Sequence, residues 1–218
     1  MEIDTINWGL IPYGKAYAQQ KTMFDQAIQQ KMNGQPSINR VIFCEHPHVI
    51  TLGKNATQTN LLLSEKTLAE KQIELFQTDR GGDITYHGPG QIVVYPILDL
   101  EQFGIGLKEY IYRLEEAIIR TISHYGITGE RLDGATGVWI DTKIPHRTRK
   151  IAAIGVRCSR YITMHGLALN VNTDLSYFRY INPCGFRDKG VTSLQEELGD
   201  LVDMDEVREL VLRYFVDF

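Results

Sequence analysis

The sequence predicts an α+β fold in which helices pack on a mixed β-sheet, and three observations support this class. First, 218 residues with 43% hydrophobic side chains can bury one full-sized core, which also excludes intrinsic disorder. Second, two long segments carry apolar residues at helical spacing. Third, the strand candidates come in runs and do not alternate strictly with helices, which argues against a doubly wound parallel sheet. We expect a single domain over residues 1–218.

The helices are predicted from periodicity and from capping residues. Residues 14–33 place Tyr17, Phe24 and Ile28 near one face, and Gly34 follows as a helix terminator. Residues 107–125 repeat the same spacing more strongly, with Gly126 as a natural C-cap. Further helix starts are indicated by Ser64, which precedes a short helix to about Lys71, and by the capping-box spacings Ser193–Glu196 and Asp203–Glu206.

The strands are predicted from short apolar runs bounded by turn residues. They fall at about 41–43, 49–52, 73–77, 92–98, 127–132, 137–141, 150–157 and 161–171. We expect the first two to form a hairpin around the His46-Pro47-His48 turn. The run 92–98 is almost continuously apolar, which is typical of a strand covered on both faces.

Charge and composition exclude several classes of protein. The formal net charge of -4 is not the overall footprint of a nucleic-acid-binding protein. No apolar stretch approaches the roughly 20 residues that a membrane helix needs, so we expect no membrane segment. The start, Met1-Glu2-Ile3-Asp4, lacks the features of a signal peptide, and the three cysteines are widely spaced. We therefore expect reduced thiols and a cytoplasmic location.

A glycine-rich segment from Arg80 to Gln91 is the first candidate site. Gly81-Gly82 and Gly88-Pro89-Gly90 flank a short stretch that contains Thr85, Tyr86 and His87. Glycine lets a ligand approach the backbone closely, so the segment could contact a ligand. It matches neither a P-loop nor a dinucleotide-binding fingerprint. A plain β-hairpin with a Gly-Pro-Gly turn explains the pattern equally well.

The second candidate is Cys184, in the run Asn182-Pro183-Cys184-Gly185. Proline and glycine on either side place this thiol on a tight turn and not inside a helix or strand. A thiol in such a position is either a nucleophile or an idle loop residue.

A basic stretch over residues 143–160 is the third candidate, because it holds six Lys or Arg residues and no Asp or Glu. Such a run is either a solvated face or a surface that steers an acidic partner. Within it, Lys150 opens the apolar strand 151–156, where its ammonium group can be partly desolvated.

Histidines supply the fourth candidate. His165 begins the stretch His165-Gly166-Leu167-Ala168, which suits either a pocket wall or a core histidine bonded to the backbone. His46, His48, His87 and His165 are scattered along the sequence without a metal-binding spacing, so we expect no metal site.

Taken together, these segments resemble the lipoyl(octanoyl) transferases. The resemblance covers most of the chain, from Glu45 to Leu194. It rests on five motifs in order: Arg80-Gly81-Gly82 through Tyr86-His87-Gly88-Pro89-Gly90-Gln91, Gly137-Val138-Trp139, Lys150-Ile151-Ala152-Ala153-Ile154-Gly155-Val156, His165-Gly166-Leu167-Ala168-Leu169-Asn170 and Asn182-Pro183-Cys184-Gly185. It implies the α+β catalytic domain that this family shares with biotin and lipoate protein ligases.

The resemblance also implies site residues. Cys184 would be the nucleophile and Lys150 its partner. The acyl pocket would draw on three segments: Arg80, Gly81, Gly82, Asp83, Ile84, Thr85, Tyr86 and His87; Ala153, Ile154 and Gly155; and Gly166, Leu167 and Ala168. No metal or cofactor is implied.

The implied activity is transfer of an octanoyl group from octanoyl-acyl carrier protein through a thioester on Cys184. The acceptor would be a lysine of the lipoyl domains of 2-oxoacid dehydrogenases or of the glycine cleavage H protein. No ATP would be consumed, because going from a thioester to an amide is downhill. The alternatives are an ATP-dependent lipoate or biotin ligase of the same fold and a non-catalytic module that binds an acyl chain or a carrier protein.

Overall fold

The structure is a computed structural model that describes residues 3–182 and 189–216, and within these ranges the strands form two sheets. The strands are β1 (Asp4–Leu10), β2 (Arg40–Glu45), β3 (Val49–Leu52), β4 (Glu74–Gln77), β5 (Ile84–His87), β6 (Gln91–Ile97), β7 (Glu130–Leu132), β8 (Ala135–Ile140), β9 (Arg149–Ser159), β10 (Ile162–Asn170) and β11 (Gly190–Val191). The helices are α1 (Tyr13–Met32), α2 (Glu65–Glu70), α3 (Leu107–Ser123), α4 (Leu194–Leu198) and α5 (Met204–Val216).

The larger sheet is mixed, as the sequence predicts. Its strand order is β1-β2-β6-β10-β9-β8-β7, with β11 added in parallel to β9. The pair β1–β2 is also parallel, and the other neighbours in this sheet are antiparallel. The smaller sheet has the order β4-β3-β5. The α+β class is therefore confirmed.

Helices cover both faces of the large sheet, because successive strand residues point to opposite sides. On one face, buried residues of α3 and α5 such as Ile118 and Val211 pack with Ile92 and Val94 of β6. On the other face, Phe24 of α1 packs with β2 and with Val93 of β6. Strand β6 is covered on both sides, which explains its continuously apolar sequence.

The predicted N-caps are present, whereas the C-cap of α3 is His124 and not Gly126. The hydroxyl oxygen of Ser64 accepts from the backbone N–H of Thr67, and that of Ser193 accepts from Glu196. The carboxylate of Asp203 accepts from the N–H groups of Asp205 and Glu206 at the start of α5. These side chains satisfy backbone donors that the first helical turn leaves unpaired.

The predicted hairpin at residues 41–52 is wrong. Residues 41–43 belong to β2 of the large sheet, whereas 49–52 form β3 of the small sheet. The turn residue His46 is fully buried, with its Nδ1 2.7 Å from the carbonyl oxygen of Ile11 and its Nε2 2.7 Å from the hydroxyl of Tyr95. These contacts hold the chain inside the core as it passes from one sheet to the other.

Four other elements differ from prediction. Strands β1, β5 and β11 are not among the predicted strands, and the strand expected at 127–132 begins at Glu130. Residues 127–129 instead follow the end of α3, where the N–H of Ile127 donates to the carbonyl of Ile122. Among the residues for which the structure gives coordinates, no helix combines the length and apolar character needed to cross a membrane.

Candidate active site

A cavity of about 600 Å³ lies where the small sheet and the 80–83 segment meet the large sheet. It is lined by most of the residues that the sequence singles out: Arg80, Gly81, Gly82, Asp83, Ile84, Thr85, His87, Lys150, Ala153, Ile154, Gly155, Gly166, Leu167 and Ala168. The fold thus brings three distant segments of the sequence to one cavity. Their contact with a substrate stays a prediction.

Tyr86 lies in a neighbouring aromatic cluster and does not line this cavity. Its hydroxyl lies 2.8 Å from Nδ1 of His48, and its ring stacks on Tyr177 with the ring centroids 5.0 Å apart. Burial raises the pKa of the Tyr86 hydroxyl above its usual range. The alternation of side chains along β5 separates Tyr86 from Thr85 and His87, which face the cavity.

Small residues form the floor of the cavity. Ala153 pairs with Ala168 and Gly155 with Gly166 where β9 and β10 run antiparallel. A Cβ atom on Gly155 would lie 2.8 Å from the carbonyl oxygen of Gly81, and one on Gly166 would lie 2.1 Å from that of Val94. Glycine is needed at both positions because backbone atoms approach this closely.

Arg80 extends from the segment over this floor and is almost fully buried. Its Nη2 donates to the hydroxyl and to the carbonyl oxygen of Thr51, each at 2.9 Å, and its Nε lies 3.3 Å from the same hydroxyl. Its Nη1 donates to the carbonyl of Gly81 at 3.0 Å. These charge-assisted bonds fix a cation that would be costly to bury unpaired.

Asp79 holds the start of the same segment. Its carboxylate accepts from Nε2 of His165 at 2.8 Å and forms an ion pair with Arg157. The hydrogen bond from His165, helped by the charge of Arg157, lowers the pKa of Asp79 to about 2. Burial lowers the pKa of His165 in spite of the carboxylate beside it, so a neutral imidazole donates to an ionised Asp79. Sequence reasoning missed Asp79, and its position directly before Arg80 is the available signal.

A chain of buried polar groups runs behind the cavity. Nδ1 of His87 lies 2.7 Å from Oε1 of Gln91, whose amide donates to Asn170 at 2.8 Å. Asn170 in turn donates to the carbonyl of Thr192 at 2.9 Å. Burial lowers the pKa of His87 to about 3. The network ties β6 and β10 to the chain just after β11.

The histidines are less scattered in space than in the sequence. The ring centroids of His46 and His87 are 5.9 Å apart, and burial lowers the pKa of His46 to about 4. Within residues 3–182 and 189–216, however, no three His, Cys, Asp or Glu side chains are grouped to hold a metal ion.

Lys150 lies at the end of the cavity near β11. Its Nζ donates to the carbonyl of Thr136 at 3.2 Å and lies 4.5 Å from the centre of the Trp139 ring. Val191 pairs with Lys150 in register, and the N–H of Thr192 donates to the carbonyl of Lys150 at 2.9 Å.

Cys184 and the rest of its Pro-Cys-Gly motif lie outside the described residues, but both flanks are fixed. On one side the N–H of Asn182 donates to the carbonyl of Asn60 at 2.8 Å, and the amide of Asn60 donates to Asp83 at 2.6 Å. On the other side β11 pairs with the start of β9. Since Asp83 and Lys150 both line the cavity, the chain enters and leaves the 183–188 segment beside it.

Part of the basic stretch is paired with carboxylates elsewhere in the chain. Arg149 forms a two-pronged ion pair with Glu197, at 2.6 and 2.5 Å, and a third bond to Asp141 at 2.5 Å. Arg157 pairs with Asp79. Arg149 and Arg157 are therefore paired within the chain, and the steering of an acidic partner by this stretch stays a prediction.

Comparisons with known proteins agree with this geometry. The family model of the lipoyl protein ligase A/B catalytic domain matches residues 17–216. An octanoyltransferase of Bacteroides fragilis is 59% identical over 209 residues, which cover 96% of this chain and 94% of that protein.

The fold is shared with solved ligase structures at low sequence identity. A bi-partite lipoate protein ligase from Thermoplasma acidophilum superposes with a TM-score of 0.71 at 17% identity, covering 100% of this chain and 83% of that one. A biotin protein ligase from Aquifex aeolicus gives 0.56 at 14% identity, covering 99% and 69%. The chain therefore belongs to the lipoyl protein ligase A/B catalytic-domain family, and its sequence places it among the octanoyltransferases.

Proposed function

We propose that the protein moves an octanoyl group from octanoyl-acyl carrier protein to a lysine of a lipoyl domain through a thioester on Cys184. The observation that carries the proposal is the placement of Lys150. It lines the same cavity as the glycine-rich segment. It also pairs in register with Val191 of β11, the strand that follows the Cys184 motif in the sequence. An ammonium group at that end of the cavity favours the thiolate form of a nearby cysteine.

The first half-reaction loads the enzyme. The Cys184 thiolate attacks the carbonyl carbon of the carrier thioester, a new C–S bond forms, and the bond to the carrier sulfur breaks. The carrier thiolate leaves and takes the proton of the Lys150 ammonium, so Lys150 is neutral when the acceptor lysine arrives. Backbone N–H groups of the glycine-rich segment are the proposed donors to the oxyanion that forms on the way.

The second half-reaction releases the product. The neutral amine of the acceptor lysine attacks the acyl-enzyme, a C–N bond forms, and the bond to Cys184 breaks. The proton lost by the amine passes to Lys150 or to the departing thiolate. Both steps start from a thioester, so ATP is not needed.

The dimensions of the cavity suit an acyl chain of this length. Lys150 and Gly155 are five residues apart on β9. At a rise of about 3.3 Å per residue this distance is about 16 Å. An extended eight-carbon chain with C–C bonds of about 1.5 Å measures about 9 Å, which leaves room for the side chains at the reacting end. Burying its methylenes gives a few kcal/mol, at about 0.8 kcal/mol each.

The acceptors proposed are the lipoyl domains of 2-oxoacid dehydrogenases and the glycine cleavage H protein. We place the reaction in the cytoplasm. Cys44 and Cys158 are free thiols, which fits a reducing compartment.

Intact-protein mass spectrometry after mixing the enzyme with octanoyl-acyl carrier protein, without ATP, tests the route. We expect one added octanoyl mass, its loss when a lipoyl domain is supplied, and no adduct on Cys184→Ala. Cys158→Ala is the matched control, because Cys158 is a second, half-buried thiol on β9 and should leave the adduct unchanged.

A ligase of the same fold would give a different result. It would form no adduct from the carrier thioester and would modify the lipoyl domain only with free octanoate and ATP. That outcome would replace the thioester route with an acyl-adenylate.

A further inference from the structure

We propose that Thr51 limits the length of the transferred acyl chain by fixing the side chain of Arg80 across the inner end of the cavity. This inference rests on the proposed octanoyl transfer and concerns a residue that does not itself line the cavity. Thr51 acts through Arg80 and is therefore a positioning residue.

Arg80 lines the cavity beside Gly155, five residues along β9 from Lys150. A Cβ atom built on Gly155 would lie 3.3 Å from Cδ of Arg80 and 3.5 Å from its Nη1. One residue further along β9, the carbonyl of Val156 accepts from the N–H of Gly81 at 2.9 Å. The segment that carries Arg80 therefore crosses β9 just beyond Gly155. An acyl chain that starts near Lys150 and follows the floor of small residues meets Arg80 there.

Thr51 is fully buried in β3 and supplies most of the bonds described for the guanidinium. Its hydroxyl accepts from Nε and Nη2, and its carbonyl also accepts from Nη2. Removing only the hydroxyl would leave the carbonyl bond and the shape of the side chain in place. It would take away one acceptor oxygen, and with it two of the hydrogen bonds that hold the guanidinium over the floor.

The main chain around Arg80 is held independently of Thr51. Asp79 is bonded to His165 and Arg157, and the N–H of Lys54 donates to the carbonyl of Arg80 at 3.0 Å. Loss of the Thr51 hydroxyl is thus expected to release the Arg80 side chain while the segment stays in position. The effect should be on chain length and not on folding.

The experiment is a competition among acyl chains. Wild type, Thr51→Val and Thr51→Ser are each given an equimolar mixture of hexanoyl-, octanoyl-, decanoyl- and dodecanoyl-acyl carrier protein with a lipoyl domain. The masses of the modified lipoyl domain give the product ratio. Thr51→Val removes the hydroxyl at nearly constant volume, whereas Thr51→Ser keeps it.

We expect the preference of Thr51→Val for octanoyl over decanoyl to fall about tenfold, a size typical of discrimination by one or two methylenes. Thr51→Ser should keep the wild-type ratio. The proposal is overturned if Thr51→Val keeps that ratio, or if it slows all lengths by the same factor, since a merely structural role would do so.

The ratio is read within one sample, so it does not depend on the fraction of active enzyme. If Thr51→Val fails to fold, Arg80→Lys replaces the guanidinium, whose Nε and Nη2 donate to Thr51, with an ammonium group. The same fall in the preference for octanoyl over decanoyl is expected. An unchanged ratio in Arg80→Lys would also overturn the proposal.

Failure of the thioester route is a separate result. In that case, calorimetry of free octanoate and decanoate binding to the same variants decides whether Thr51 sets the preferred chain length.

Discussion

The ammonium group of Lys150 sits between the carbonyl of Thr136 and the face of Trp139, at the end of the cavity near β11. If it stabilises the Cys184 thiolate, Lys150→Met should slow adduct formation at pH 7 by up to about 30-fold, because a thiol of ordinary pKa is only about 3% ionised there. The defect should shrink as the pH rises toward the ordinary thiol pKa of about 8.5, because the thiolate then forms without help.

Rates of octanoyl-enzyme formation from pH 6 to 9.5 check this. Lys143→Met is the matched control, since Lys143 belongs to the same basic stretch but is exposed. A defect in Lys150→Met that is equally large at every pH would contradict stabilisation of the thiolate. It would indicate that Lys150 only helps to position the reacting groups.

Among individual residues, the sequence predicts those that belong to motifs and misses those that hold the motif residues in position. Many of the residues lining the cavity belong to the glycine-rich, Lys-Ile-Ala and His-Gly segments, but others, such as Tyr13 of α1 and Ile111 of α3, are not predicted. Thr51 and Asp79 are missed because their partners, Arg80 and His165, come from other elements of the fold. Nothing in the local sequence of a threonine in a short strand indicates that it binds a buried guanidinium.

Among the elements, a buried carboxylate of helix α3 bonds to the backbone of strand β8. Glu115 accepts from the N–H of Gly137 at 3.0 Å and from Arg131 at 3.1 Å. Gly137 follows Thr136, whose carbonyl receives the Lys150 ammonium, so this bond helps to position the site.

Glu115→Ala leaves the buried N–H of Gly137 without its acceptor and should lower the free energy of unfolding by about 1–3 kcal/mol. Glu115→Gln keeps an oxygen in the same place and should lower it by less than about 1 kcal/mol. Urea unfolding followed by circular dichroism measures both variants. Equal losses would show that the charge of Glu115 matters and the bond to Gly137 does not.

Helices are predicted more accurately than strand pairing, because a helix is recorded in local periodicity. Helix α3 begins at the predicted residue and ends two residues early. The pairing of β2 with β6 joins residues about fifty positions apart, which no local pattern records. Strand β1 is mostly exposed along its length, so it lacks the apolar alternation that would reveal it.

In the whole molecule, buried neutral histidines make stability depend on pH. The folded-state pKa values of His46 and His87 are about 4 and about 3, well below the ordinary value of about 6.5. Their contribution is complete above pH 6.5 and is lost as the pH falls toward the folded values, because the unfolded chain then binds protons that the folded chain does not. His165 shifts in the same direction.

Between pH 7.5 and 5.0 the free energy of unfolding should therefore fall by on the order of 4 kcal/mol for His46 and His87 together. Urea unfolding at a series of pH values measures the slope. His124→Gln is the control for the loss of a histidine outside the core, because half of this side chain is exposed. A flat profile over this range would mean that the folded and unfolded chains bind protons equally, so that the two histidines are not shifted from the ordinary pKa of about 6.5.

The glycine and alanine pairs on β9 and β10 affect how binding is distributed between enthalpy and entropy. These four residues have no side-chain torsions to immobilise when a ligand settles on them. The floor should keep one shape in the empty and the filled protein, so ordering costs fall on the incoming acyl chain alone. A preorganised surface of main-chain atoms holds an apolar chain without adapting to it, and any adaptation has to come from the segment that covers it.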